Sequence, residues 1–261
     1  MEINLLVLNV GNSRLAVGVF VGGALEYAVR FPLDVPAEWP GRLNEAWAKL
    51  ADKEDVVVVG ASVNPKVMEQ VEHVVNQVTG QKVHWVGRDI PLPIKVTTEF
   101  PEQTGVDRVL NVAAAYEQMG KACVVVDAGS AVTVNLCNDA GEFVGGAIAP
   151  GATMQFEALN ERTAKLPRVT LDVPAESVGR NTEQAIRHGV YHGIRGLVKE
   201  LVEQYATELG TWPDVIATGG DATLLFEGWD LIHAVAPDLT LYGIALAYTE
   251  SLENSKDQAQ R

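Results

Sequence analysis

Cysteine is scarce in this chain: Cys123 and Cys137 are the two among 261 residues. Each lies in an apolar strand-like run, so no disulfide framework is expected. Both read as reduced core thiols of a cytoplasmic protein. No apolar run approaches the length that crosses a bilayer. The opening MEINLLVLNVG lacks a basic leader and a small-residue cleavage site, so a secretory signal is not expected. Clusters of Lys and Arg are missing too. Against 34 acidic residues there are 20 Lys and Arg, for a formal net charge of −14. That balance disfavours nucleic acid and anionic membrane as partners, and with them a regulator acting on DNA. There is no Gly-x-Ser-x-Gly elbow, no Walker-type Gly-Lys-Ser/Thr and no Cys-x-x-Cys pair. What is present, 47% hydrophobic and 21% charged residues, suits a soluble globular protein of one large or two ordinary domains. An anionic ligand stays open wherever a pocket supplies backbone N–H groups and a few cations.

The pattern along the chain is α/β. LLVLNVGNSRLAVGVF (5–20) is an apolar run, a tight turn and a second apolar run, and ALEYAVRF adds a third strand after Gly22 and Gly23. Trp39, Leu43, Trp47 and Leu50 give helical spacing over 38–51. DVVVVGAS (55–62) has the continuous apolar character of a buried parallel strand. Asn64-Pro65 opens a helix that Gly80 closes. KVHWVG is a short strand, the proline-bearing IPLPIKVTTEFPEQ an extended loop, and GVDRVLNVAAAYEQMG a helix. From residue 122 the plan restarts: ACVVVDAG, SAVTVNLC and EFVGGAIAP are three more strands. A helix from about 152, a polar loop, a helix from Thr182 to Leu209, the strand DVIATGGDA and a closing helix in TLYGIALAYTESL follow. The polar SLENSKDQAQR end is expected to fray.

The second start repeats the first. LLVLNVGNSRLAVGVF aligns with CVVVDAGSAVTVNLC through an apolar run, [Asn/Asp]-x-Gly-[Asn/Ser] and a second apolar run. This predicts duplicated α/β domains, 1–119 and 120–261, facing an interdomain cleft with one glycine turn from each. Such turns line up backbone N–H groups as an anion cradle, and a carboxylate beside one can hold a cation that offsets phosphate charge. Each turn alone is equally an ordinary hairpin connector; the duplication favours a nucleotide cleft. In TGVDRVLN, Asp107 could accept a proton from a substrate hydroxyl while Arg108 holds an acidic group of the same substrate. The alternative is a first-turn helix carboxylate beside a surface charge. Asn181 and Thr182 open the long helix, with Thr182 either its cap or a ligand contact. His188 and His192 stand four apart, a metal-capable spacing without an evident third ligand, and read as a helix face.

In order, NVGNSR, ASVNP, PEQTGVDR, DAGSAVT, GEFVGGAIAPG, GRNTEQAIRHGVYHG, TGGDA and DLTLYGIALA resemble the type III pantothenate kinases of the acetate kinase/sugar kinase/Hsp70/actin superfamily. The resemblance implies two ribonuclease H-like domains with mixed sheets, a cytoplasmic homodimer, and ATP-dependent phosphorylation of pantothenate to 4'-phosphopantothenate, the first step of coenzyme A synthesis. It implies Asp107 as catalytic base, with Thr98, Gly105, Val106, Asp107, Arg108 and Thr182 at pantothenate. ATP would meet Asn9, Val10, Gly11, Asn12, Ser13, Arg14, Leu15, Ala16 and Ser130. Magnesium would accompany ATP, and a monovalent cation, potassium or ammonium, would sit at Asp127.

The departures from the family pattern concentrate in the first turn, which usually reads Asp-x-Gly-Asn-Thr-x-x-Lys. Asn9 replaces the Asp and removes a negative charge that holds hydrated magnesium. Ala16 replaces the Lys and removes a cation from the phosphate site, while Ser13 for Thr is mild. Thr98 stands where a Tyr walls the pantothenate pocket, and Asn135 where many members have a second Asp. Two alternatives follow: a non-catalytic or regulatory homologue, favoured by Asn9 with Ala16, and a kinase for another small hydroxy acid, suggested by Thr98.

Overall fold

The apolar run before the first turn forms β1 (Leu5–Val10), and the run after it forms β2 (Arg14–Val21), antiparallel to β1. The Gly22-Gly23 turn, with both residues at positive φ, folds β3 (Ala24–Pro32) back along β2. These strands belong to a computed structural model that describes residues 3–259. Two parallel strands complete the sheet: β4 (Val57–Ser62) beside β1, and β5 (Val83–Trp85) beside β4. The strand order is β3-β2-β1-β4-β5, a mixed sheet.

Both faces of β1 are covered, which is why its sequence is apolar throughout rather than alternating. Leu6, Leu8 and Val10 pack with Trp39 and Leu43 of α1 (Trp39–Trp47) and with Val71 and Val75 of α2 (Pro65–Thr79). Leu5 and Val7 face the other way, toward Leu110 of α3 (Val106–Met119) and Leu241 and Ile244 of the last helix. Helix α2 starts and stops as its sequence predicts: the Asn64 side chain accepts from the Val67 N–H, and Gly80 ends it in the left-handed region. At Gly60 a Cβ would lie 2.5 Å from the Trp85 ring, so the small residue in β4 is what lets Trp85 lie flat against the sheet.

The second sheet repeats the first strand for strand. β6 (Cys123–Ala128), β7 (Ala131–Cys137) and β8 (Phe143–Pro150) form an antiparallel meander, and β9 (Asp214–Thr218) and the two-residue β10 (Ala234–Val235) run parallel to β6. Its order, β10-β9-β6-β7-β8, is the first order read from the other edge. Between β8 and β9 lie α4 (Ala152–Glu161) and α5 (Thr182–Leu209), and after β9 comes the short α6 (Ala222–Phe226). Val124 and Val126 of β6 share a core with Ile186, Val190, Ile194, Val198 and Val202 along α5. Cys123 and Cys137 are free, buried and directly opposite each other in the β6/β7 register. The neighbouring Cys137 thiol and then burial push the Cys123 thiol far up, so it stays protonated.

The chain organises into two compact units: unit 1 holds the residues up to Lys95, Phe100–Ala114 and those from Asp238 on, and unit 2 holds Val96–Glu99 and Ala115–Pro237. The last helix, α7 (Leu239–Ala259), therefore belongs with the first sheet, against which Leu241, Ile244 and Ala247 are buried. A linear reading of the sequence assigns that segment to 120–261, because a helix that returns to the starting sheet carries no local signal of doing so. The polar end expected to fray is helical through Ala259; Gln260 and Arg261 lie outside the described residues.

Candidate active site

In unit 1 the opening turn joins β1 to β2 through Gly11, Asn12 and Ser13. The Gly11 N–H donates to the Arg14 carbonyl at 3.0 Å, closing the turn. Asn12, Ser13 and Arg14 are exposed at its tip, which is the part able to meet an anion. Asn9, in register with Ala16 on β2 and Ala61 on β4, sits one residue inside the strand between two small apolar neighbours. Val10 and Leu15, the last cross-strand pair before the turn, are fully buried, and Ala16 is buried as well.

Unit 2 has the same element with different chemistry. Gly129 and Ser130 make a tighter turn, closed by the Gly129 N–H donating to Ala131 at 2.9 Å. Asp127 occupies the position of Asn9, and its register partners are Thr133 on β7 and Thr218 on β9. Two further glycines crowd the spot. A Cβ on Gly151 would meet the Gly129 carbonyl at 2.1 Å, and one on Gly219, at φ +97°, would meet the Ala128 carbonyl at 2.3 Å and Asp127 Oδ1 at 2.4 Å. The carboxylate thus lies in a cradle of close-packed backbone. Asn135, two residues beyond Thr133, is fully buried and donates from Nδ2 to Thr133 Oγ1 at 2.9 Å.

The third element is the start of α3 in unit 1. Gly105 leads into Val106, Asp107 and Arg108, all half-buried. Asp107 Oδ1 accepts from the Arg108 N–H at 2.8 Å, and a side chain at Gly105 would press on that same oxygen at 2.8 Å. Burial raises the Asp107 carboxyl above its ordinary range; the Arg108 N–H and guanidinium pull it partway back down. A carboxyl raised in this way is more basic than a solvated one, which suits proton abstraction.

Thr98 and Thr182 both belong to unit 2. The neighbouring Thr97 is tied through its N–H and Oγ1 to the Phe143 carbonyl of β8, and Thr98 Cγ2 lies beside Gly145, which stands at φ +143°. At the start of α5 the cap is Asn181, whose side chain accepts from the Gln184 N–H at 2.9 Å, while Gln184 Oε1 accepts from the Arg180 N–H. Thr182 is therefore the first helical residue, exposed, and is not the cap. The His188 and His192 rings lie on the same helix with centroids 5.4 Å apart and planes tilted by 38°.

Asp127 and the two threonines in register with it bring carboxylate and hydroxyl oxygens to one row of the sheet, which fits a hard cation. Among the described residues no group of three or more His, Cys, Asp or Glu side chains gathers as a metal site. The set thus fits one weakly charged ion, or an ion that keeps its water. Thr133 and Thr218 escaped the sequence reading because strand register, not chain proximity, brings them to Asp127. Alternation along VTVNL could have offered Thr133; nothing local offers Thr218.

Comparison with known proteins places this architecture. Residues 5–204 match the family model described as type III pantothenate kinase. A type III pantothenate kinase from Syntrophotalea carbinolica is 35% identical over 256 residues, covering 94% of this chain and 98% of the relative. Among solved structures, a Baf family transcriptional activator from Campylobacter jejuni superposes with TM-score 0.59 at 21% identity, covering 95% of this chain and 99% of the other. Component A of the Acidaminococcus fermentans (R)-2-hydroxyglutaryl-CoA dehydratase superposes with TM-score 0.56 at 13% identity, covering 97% and 99%. At those identities the structures speak for the duplicated α/β fold alone. The sequence relationship carries further, spanning the chain from the first turn to the long helix α5, and by it the chain belongs to the type III pantothenate kinase family.

Proposed function

We propose that the protein transfers the γ-phosphoryl group of ATP to the hydroxyl of pantothenate, giving 4'-phosphopantothenate and ADP at the entry to coenzyme A synthesis. The observation that carries this reading is the start of α3, where a half-buried carboxyl with a raised pKa stands next to an arginine in a chain of this family. Asp107 accepts the hydroxyl proton as the hydroxyl oxygen attacks phosphorus in line and the β–γ bridging bond breaks toward ADP. Arg108 pairs with the pantothenate carboxylate and orients the acceptor. Gly105 and Val106 let the acceptor approach the helix start, and Thr98 and Thr182 offer hydroxyls to it.

For the nucleotide, the exposed Asn12–Arg14 tip of the opening turn supplies backbone N–H groups, and Ser130 contributes from the second turn. Asp127 with Thr133 and Thr218 would hold a potassium or ammonium ion, and magnesium would arrive with ATP; bound, these cations offset phosphate charge. The protein would work as a cytoplasmic homodimer. No described helix is long and apolar enough to cross a membrane.

The second reading, a homologue that binds without turning over, is favoured by one observation: Asn9 lies between two alanines where its counterpart Asp127 lies between two threonines. A coupled assay with ATP, magnesium, potassium and pantothenate separates the two. Turnover in the wild type, abolished in a folded Asp107→Asn variant, supports the kinase. Absence of turnover at high protein concentration in both the wild type and Asn9→Asp sinks it.

A further inference from the structure

Acidic residues outnumber Lys and Arg by 34 to 20 in this chain, yet the half-buried Arg195 of α5 makes no ion pair among the described residues. Its Nη1 donates to the Tyr191 hydroxyl at 2.8 Å. Its guanidinium carbon lies over the Tyr191 ring, 5.3 Å from the centroid, and over the Trp229 ring at 4.4 Å. Trp229 is backed in turn by the buried Phe226, with centroids 6.0 Å apart and planes 24° from parallel. Tyr191 is itself buried. The guanidinium is thus held in place by aromatic rings rather than by a carboxylate. Contact with a ring steadies the charge without consuming N–H donors, so all but the one given to Tyr191 remain to be used.

Helix α5 also gives Arg195 basic company. His188, His192, Arg195 and Lys199 recur at i, i+4, i+7 and i+11, which sets them along one face of the helix. His192 and Lys199 are exposed. Lys199 reaches Glu203 Oε1 at 3.7 Å, a loose and solvated pair at the far end of the stripe. His188 Nε2 is buried with no hydrogen-bond partner, so His192 is the imidazole that solvent can reach. The Tyr191 ring meets His192 edge-on, 83° between planes with centroids 5.1 Å apart, and so touches both His192 and the arginine. Burial first, then His188 and Arg195, lower the His192 pKa. The charge of Arg195 is therefore felt at that ring.

We propose that Arg195, His192 and Lys199 form a binding site for a phosphate-class oxyanion, free or as a monoester, on this face of α5. Arg195 supplies a fork of donors already oriented by Tyr191 and Trp229, His192 a ring N–H, and Lys199 a mobile ammonium. Two positive charges and an imidazole suit a doubly charged oxyanion with several acceptors better than they suit one carboxylate. The net charge of −14 opposes any anion at long range, so the site works by contact and weakens with salt. All its residues lie in unit 2, and the inference stands apart from the kinase reading.

The test is proton NMR of the imidazole C–H resonances. The chain has five histidines, and His192→Gln assigns the resonance in question. Titration with inorganic phosphate is expected to move the His192 signal downfield, the direction of protonation, because a bound anion offsets the charge of Arg195. Sodium chloride at matched ionic strength should not. Arg195→Gln should weaken the phosphate midpoint by about ten-fold or more, with Arg195→Lys losing less and Lys199→Gln least. Methyl phosphate in a parallel titration separates the sources: tighter binding than inorganic phosphate assigns the site to an ester, weaker binding to the free ion. A His192 signal unmoved by both phosphates would overturn the inference, even where phosphate shifts other histidines. So would an equal shift in chloride, or a midpoint unchanged in Arg195→Gln. Thermal melts confirm that each variant is folded; if Arg195→Gln is not, Arg195→Lys and Lys199→Gln carry the comparison.

Discussion

The two turns occupy one place in two copies of one sheet, and they differ in what surrounds them. In unit 1, Asn9 is flanked across the sheet by Ala16 and Ala61. In unit 2, Asp127 is flanked by Thr133 and Thr218, beside Gly219, where an added Cβ would strike the Ala128 carbonyl and the Asp127 carboxylate. The first row holds no formal charge until Arg30; the second holds a carboxylate dressed with hydroxyls. Duplication preserved the backbone and let the side chains divide: the first turn follows a neutral amide between two alanines, the second a carboxylate between two threonines. The asymmetry seen in the sequence as Asn against Asp is therefore a difference between whole rows rather than between single residues.

Making the second row like the first should have the largest effect. Asp127→Asn keeps the shape and removes the charge, and is expected to lower kcat by about 100-fold or more, with loss of potassium activation in the same assay. Full activity, still potassium-dependent, would show that the carboxylate is not the cation's ligand. Making the first row like the second, Asn9→Asp, should raise kcat/KM for ATP by about ten-fold at saturating magnesium; a fall would mean that this chain's turn has settled on a neutral residue for good reason.

Both variants should leave the pH profile alone. Burial raises Asp107, so its deprotonated, active form is lost as pH falls through a value above the ordinary carboxylate range, giving an acid limb in kcat/KM. Stability runs the other way. Because the folded-state pKa is raised, Asp107 favours folding most below its unfolded value of 3.8. That contribution declines as pH rises through the shifted value. Arg108→Gln removes one of the groups pulling the carboxyl down and should move the limb to higher pH. A limb that stays put would detach it from Asp107.

The smallest effect is expected from the flanking hydroxyls. Thr133→Val removes the acceptor of the Asn135 amide inside a buried row and should cost about 1–3 kcal/mol in thermal unfolding. Its effect on kcat should be smaller than that of Asp127→Asn. A melting temperature equal to wild type would show that the row tolerates an apolar flank, and the contrast with the first row would lose its structural basis.

Much of this molecule was legible from local pattern. Asn64 and Gly80 bound α2, because capping and left-handed termination are decided by a few adjacent atoms. The three-strand starts were readable because apolar runs on either side of a glycine turn can hardly do otherwise. Thr182 was less readable: the sequence left it between cap and contact, and only the bond from Gln184 to Asn181 decided against the cap. The short β10 and the two-residue advance of β4, which starts at Val57 rather than Asp55, depend on neighbouring strands and left no periodicity to read.

By itself the amino-acid sequence determined the elements, the repeat and the family, for these rest on periodicity, turn chemistry and ordered motifs, all short-range along the chain. Tertiary structure alone decided which residues stand beside one another. It set Thr218 next to Asp127 from 91 positions away and placed Arg30 beside Ala16. It also returned α7 to the first sheet, where Thr240 reaches Asn111 across 129 positions. The physical reason is that strand register and helix docking are settled by burial of whole faces, a quantity no single stretch of the chain contains.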